Sequence, residues 1–210
     1  MTGKKTESRE KIKTVSQMLQ ECDSLLRRGR IKEAAEGYEK LRISAPEMGI
    51  TWYMKGKALY MLGRLDEAIK CCDESAKRSP DQWLPYALKA KCLFDLGKLE
   101  DAMIEYGKAL KLNPKVAEVL ISLAFCHMLR NDTKKAREYG KAAMQANPDK
   151  TKELISDMNA IIAGSLFLES EKTFVRMGKE FKNLFADFCR FMEDTAKALG
   201  ERRPDADEYV

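Results

Sequence analysis

Residues 83–116 read WLPYALKAKCLFDLGKLEDAMIEYGKALKLNPKV, and the punctuation of this stretch recurs along the whole chain. Pro114 has counterparts at Pro46, Pro80 and Pro148, each 34 residues from the next. Seventeen residues before each proline stands a residue suited to ending a helix: Gly29, Gly63, Gly97 and, in the fourth copy, Asn131. Five residues beyond each of those lies an alanine: Ala34, Ala68, Ala102 and Ala136. Three columns holding one register four times define an internal repeat. A period of this size means a small unit that buries its apolar face only against neighbouring copies.

The four copies span 15–48, 49–82, 83–116 and 117–150. In the first, Thr14 and Gln17 read as a capping box, threonine followed three residues later by glutamine. A first helix then runs to about Arg28, Gly29 takes the left-handed backbone that ends it, and 31–44 makes a second helix. The same syntax repeats three times. At the junctions a proline is expected to open the next helix, behind Ser79, Asn113 or Asn147 as cap, because proline's missing N–H would be unpaired there anyway. Short loops make each helix pair antiparallel, so the reading is all-α.

These columns resemble the tetratricopeptide repeat (TPR). The third copy carries Tyr86, Ala90, Leu93, Gly97, Ala102, Tyr106, Ala109 and Pro114, nearly the family's full pattern. The second has Trp52, Gly56, Leu59, Ala68 and Pro80, with Cys72 in the aromatic column; the first has Met18, Cys22, Leu25, Ala34, Tyr38, Leu41 and Pro46. The fourth keeps Leu120, Ala124, Ala136, Ala143 and Pro148 but departs at His127, Asn131 and Gly140. The resemblance implies a right-handed α-solenoid of antiparallel helix pairs with C-terminal capping helices. It also implies a concave groove, lined by the first helix of each pair, that holds a peptide or helix of another protein.

Beyond the repeats, Leu154, Ile155, Met158, Ile161 and Ile162 follow helical spacing, so 150–162 is a further helix over the last repeat. From about 166 to 199 the pattern is one long amphipathic helix. Phe174, Phe181, Phe185, Phe188 and Met192 form its apolar seam, which could pair two copies of the chain or fold back into its own groove. Between 165 and 200 six basic residues meet six acidic ones, unlike the basic face of a membrane-surface helix. The ends, 1–14 and 200–210, read as disordered tails, the first with a net charge of +3 from Lys4, Lys5, Arg9, Lys11 and Lys13 against Glu7 and Glu10.

No apolar run approaches the ~20 residues that cross a bilayer, and the N-terminus lacks the apolar core of a signal peptide; a cytoplasmic protein is expected. None of the six cysteines forms a CxxC pair, and Cys22, Cys72, Cys92 and Cys126 fall in core columns, so they read as packing residues rather than metal ligands. One histidine, His127, occupies a core column as well. Without a nucleophile–base set or a phosphate loop, the chain reads as no enzyme and needs no cofactor. Acidic pairs such as Asp66–Glu67 and Glu100–Asp101 recur where the second helix begins and favour its dipole.

Carried over by column, the groove residues are Leu19, Asp23 and Leu26, then Tyr53, Lys57 and Tyr60, then Ala87, Lys91 and Phe94, and last Ile121, Phe125 and Met128. Lys57 and Lys91 share a column and can meet carboxylates. A branch of the family clamps chaperone C-termini with Lys, Asn and Arg. The corresponding positions here are Leu19, Asp23, Met54, Leu84 and Leu88, so that clamp is missing. Basic residues are spread over all helices and balanced by acids, which disfavours nucleic acid as a partner.

Overall fold

The computed structural model describes residues 3–164 and 179–200, with side chains over 15–158 and 183–200. Every element among these residues is an α-helix. In order they are α1 (Gly3–Arg27), α2 (Ile31–Ser44), α3 (Gly49–Met61), α4 (Leu65–Arg78), α5 (Leu84–Asp95), α6 (Leu99–Leu112), α7 (Ala117–Leu129), α8 (Thr133–Ala146), α9 (Pro148–Gly164) and α10 (Lys179–Gly200). The chain forms two compact units that divide between Leu112 and Asn113. In the first, α1 to α6 make three antiparallel pairs, each packed on the next. In the second, α7 pairs with α8, α9 lies against both, and α10 packs mainly on α8 and also on α7.

The helix ends follow the glycine column closely. Gly29, Gly63 and Gly97 have φ of +74°, +74° and +76°, and Asn131 has φ of +60°. Gly63 N–H donates to Tyr60 O at 2.9 Å and Arg64 N–H to Leu59 O at 2.9 Å. The same pair of bonds closes α1, α5 and α7, which gives all four turns the Schellman geometry that the left-handed residue permits. Beyond each turn the alanine column lets the second helix lie tightly on the first: Ala34, Ala68 and Ala102 have no exposed surface.

Close approaches and polar contacts join helices both within a pair and between pairs. Buried Ser75 of α4 donates its hydroxyl to Gly49 O at 2.8 Å. A Cβ on Gly49 would stand only 2.5 Å from Ser79 Oγ and 3.1 Å from Ser75 O. Tyr38, fully buried, finds its partner in Asp23, 2.5 Å from the phenol oxygen. Lys89 of α5 reaches Asp73 on α4 at 2.6 Å and Glu105 on α6 at 3.5 Å. Burial opposes the charge on Lys89, but the two carboxylates more than offset it and hold its pKa above the ordinary lysine value.

Two expectations need correction. Of the four column prolines, only Pro148 opens a helix; Pro46, Pro80 and Pro114 sit in turns ahead of helices that start at Gly49, Leu84 and Ala117. In two of those turns an N–H three residues on returns to the last helical cap, Met48 to Ala45 O and Gln82 to Ser79 O, both at 3.2 Å. Proline suits such a turn because its fixed φ matches the second turn residue. Asn113 accordingly accepts from Lys115 N in a local turn at 3.3 Å, whereas Asn147 caps α9 by accepting from Lys150 N at 3.0 Å. Second, α1 begins at Gly3 rather than after a tail ending at Thr14, so Thr14 lies inside the helix rather than at its start. Residues 4–13 hold neither glycine nor proline and are mostly good helix formers, so nothing stops the helix extending backwards. The segments 165–178 and 201–210 lie outside the described residues, and with them the first part of the long helix expected over 166–199, Phe174 included.

Candidate functional site

Residues i, i+4 and i+7 of a helix share one face, and this rule assembles the expected groove columns of the first unit. Helix α1 presents Leu19, Asp23 and Leu26, α3 presents Tyr53, Lys57 and Tyr60, and α5 presents Ala87, Lys91 and Phe94. Lys57 and Lys91 are exposed, and the other seven are half-buried. Leu19, Leu26 and Tyr53 pack on the core formed around Tyr38 and Leu41. Tyr60 belongs to the next cluster, around Leu59, Cys72 and Cys92.

The electrostatics of this face are uneven. Asp23 is engaged by Tyr38 and acts as a brace between α1 and α2. The ammonium of Lys91 stands over the Tyr60 ring, 5.0 Å from its centroid. Neither Lys57 nor Lys91 pairs with a carboxylate among the described residues. Burial first, and then Asp95, push the Tyr60 phenol above its ordinary pKa, and burial does the same to Tyr53. Both rings therefore stay neutral, and the face carries a partly covered apolar strip with two cationic points.

Around Trp52, a residue of the repeat pattern, side chains that the periodicity did not single out support α3 from another side. Trp52 lies between two guanidiniums, Arg42 at 4.8 Å and Arg78 at 4.6 Å from its ring centre. Its indole N–H donates to Pro46 O at 3.0 Å. Glu39 receives both Arg42 and Lys55, each at 2.6 Å. The hydrogen bond from Arg42 foremost, aided by Lys55, holds the Glu39 carboxyl down at about 2. Repeat columns cannot reveal such a cluster, because Arg42 and Arg78 mark it only once helix positions are known.

In the second unit the same columns look different. Ile121, Phe125 and Met128 are buried, with 3%, 8% and 2% of their surface exposed. The Phe185 ring of α10 stands edge-on to Phe125, at 6.2 Å and 90°. On α8, Gly140 occupies the column that holds Tyr38 and Tyr106 in other copies. A Cβ there would stand 2.6 Å from Met192 Sδ and 2.8 Å from Phe188 Cζ, so α10 fills the space an aromatic takes elsewhere. Phe185, Phe188 and Met192 are all buried in this packing, and Arg137 covers the Phe191 ring at 5.4 Å. Of the remaining seam residues, Phe174 and the side chain of Phe181 lie outside the described residues. Gly140 was legible in the sequence as a departure from the repeat, but its occupant was not.

His127 is buried in its column and stacks on Tyr139, with ring centres 5.4 Å apart and planes 20° from parallel. Asp132 Oδ2 lies 3.3 Å from its Nδ1 but poorly aligned, and that nitrogen makes no hydrogen bond. Burial lowers its pKa below 6.5, Asp132 pulling the other way. Five of the six cysteines are buried, and none of the six forms a disulfide. Burial pushes the Cys92 thiol up to about 12 and raises Cys22, Cys71 and Cys72 as well, which suppresses the thiolate that would act as nucleophile. No group of three or more metal-ligating side chains comes together among the described residues. No helix there is long and apolar enough to cross a membrane.

A tetratricopeptide repeat profile matches residues 19–82, and a second one matches residues 85–116. No curated protein matches the chain significantly. Among solved structures, a crystal structure of MamA protein aligns with a TM-score of 0.60 at 16% identity, over 88% of this chain and 91% of that one. YrrB, described as a TPR protein with an unusual peptide-binding site, aligns with a TM-score of 0.55 at 20% identity, over 65% of this chain and 71% of its own. The first TPR of Spaghetti (RPAP3), solved with the HSP90 peptide SRMEEVD, gives 0.53 at 20% identity, over 56% of this chain and 93% of that one. Identities this low establish a shared fold, and function has to be argued from the site.

Proposed function

This chain is a tetratricopeptide repeat protein, and from that premise we propose that it is a non-catalytic adaptor whose first unit takes up a peptide or helix of another protein. The observation that carries this reading is the α1–α3–α5 face, a half-buried apolar strip around two lysines that no carboxylate of the described residues neutralises. A partner would bury apolar side chains against Leu26, Tyr53, Tyr60 and Phe94, gaining roughly 25 cal/mol for each Å2 removed from water. Lys57 and Lys91 would orient it through its carboxylates and add selectivity and on-rate more than affinity. Peptides appear in the descriptions of two structural neighbours, which favours the same class of ligand here. The chaperone-tail clamp columns carry Leu19, Asp23, Met54, Leu84 and Leu88, so a C-terminal carboxylate is not the proposed anchor. The cysteines form no disulfide, which suits a reducing compartment, and the cytoplasm is the location this reading assigns.

The test is capture of partners by the purified full chain, read by mass spectrometry. Lys57→Glu with Lys91→Glu, and separately Tyr53→Ala with Tyr60→Ala, are each expected to reduce capture at least tenfold with unchanged helical circular dichroism. Undiminished capture by both variants overturns the site. A second reading, favoured by the burial of Phe185, Phe188 and Met192 against their own chain, is that α10 covers the second unit's face rather than pairing two molecules. Light scattering on the full chain and on a version ending at Gly164 separates these roles. Equal monomers with a gain in capture on truncation support covering, and a dimer that truncation dissolves supports pairing.

A further inference from the structure

The repeat presents its inner columns once half-open, in the first unit, and once buried, in the second. In the second unit α10 is seated on α8 and α7, and its seat has been hollowed for it. Tyr38 and Tyr106 fill their column from within their own helix pairs, whereas Gly140 leaves the position to side chains arriving from outside the repeat. What arrives is an aromatic and a long unbranched apolar chain, Phe188 and Met192, with Phe185 meeting Phe125. Arg137 closes over a further ring at Phe191. The opposite side of α10 is wet, with Asp187, Arg190, Glu193, Asp194 and Lys197 exposed. One amphipathic helix, held by one side, is thus the shape this surface accepts.

We propose that the α7–α8 face of the second unit is a docking site for a single amphipathic helix of another protein, and that α10 holds it in cis as the competitor. The ligand class is read from the occupant: aromatic, aromatic and long unbranched apolar residues at i, i+3 and i+7, with a further aromatic at i+6 to lie beneath Arg137. Its apparent affinity is set by the difference between its contacts and those of α10, since the site is available only in the fraction of molecules with α10 unseated. This site uses none of the first unit's residues and stands or falls apart from the lysine-bearing face.

The probe is a labelled synthetic peptide of residues 179–200, with norleucine in place of Met192 to distinguish it by mass. Full-length protein carrying Phe188→Asp and Met192→Asp, which unseats α10, is expected to bind it at least tenfold more tightly than the natural chain. Adding Gly140→Leu to that protein fills the socket and is expected to abolish binding. If the double variant binds no better than the natural chain while keeping its helical content, the proposal is overturned. Should that variant fail to fold, excess peptide is added to the natural chain and amide exchange over 183–192 is followed. Faster exchange supports displacement, and unchanged exchange overturns it. A concentration-dependent dimer of the natural chain that Phe188→Asp with Met192→Asp dissolves would also overturn it, because a second copy's α10 would then be the occupant.

Discussion

At Gly63 the backbone sits at φ +74° with open space where a Cβ would go, so a side chain there meets conformational cost and no collision. Gly63→Ala is expected to destabilise by about 1 kcal/mol, the left-handed penalty of an L residue, seen as a lower urea midpoint with unchanged slope. Gly140 is the opposite case, an ordinary helical glycine whose neighbours are already in place. Gly140→Ala is expected to cost about 1–3 kcal/mol through overpacking against Phe188 and Met192, and pairing it with Met192→Ala should recover part of the loss. His127 adds a pH dependence. In the unfolded chain its imidazole takes a proton near pH 6.5, whereas burial holds the folded ring neutral to lower pH despite Asp132, with Lys135 and Arg130 reinforcing the lowering. Its share of stability is complete above pH 6.5 and drains away as pH falls below it. The urea midpoint should therefore drop between pH 7.5 and pH 5.5, and His127→Leu should shrink that drop; an unaltered drop would locate the titration elsewhere.

Helices were the most legible elements, and their edges the least. The glycine column, with Asn131 in the fourth copy, predicted the ends of α1, α3, α5 and α7 because a left-handed residue is a local requirement that glycine meets best and asparagine next. The proline column misled about the starts because proline is as comfortable in the second position of a turn as at the first position of a helix. Only the following residues decide which. Asn147 has a helix directly behind it and Asn113 does not. Helix α1 shows a related ambiguity, since a capping box can stand inside a longer helix whenever the residues before it are helix formers. The α3–α4 crossing depends on a contact that no periodicity carries, Ser75 to Gly49 O. Ser75→Ala removes one of the two donors to that helical carbonyl and is expected to cost about 0.5–1.5 kcal/mol, measured as a fall in melting temperature.

At the scale of the whole molecule, the sequence declared a repeat protein and an apolar seam near its end, but not where that seam goes. The columns assign Lys57, Lys91 and their apolar neighbours to one face because that follows from helix spacing alone. The address of α10 needs two distant facts together, a missing aromatic at Gly140 and a surplus of phenylalanine at 185–191, and nothing in a linear reading joins them. Ending the chain at Gly164 should therefore expose Phe125 and the Gly140 hollow, with a rise in binding of an apolar fluorescent dye. The Arg42–Trp52–Arg78 stack has one more consequence. The chain's two tryptophans, Trp52 and Trp83, both fall before Asn113, so indole emission watches one half of the molecule and is blind to the other. During a thermal scan, emission and circular dichroism would trace separate curves if the halves melt at different temperatures, which makes an unaltered chain its own two-channel thermometer.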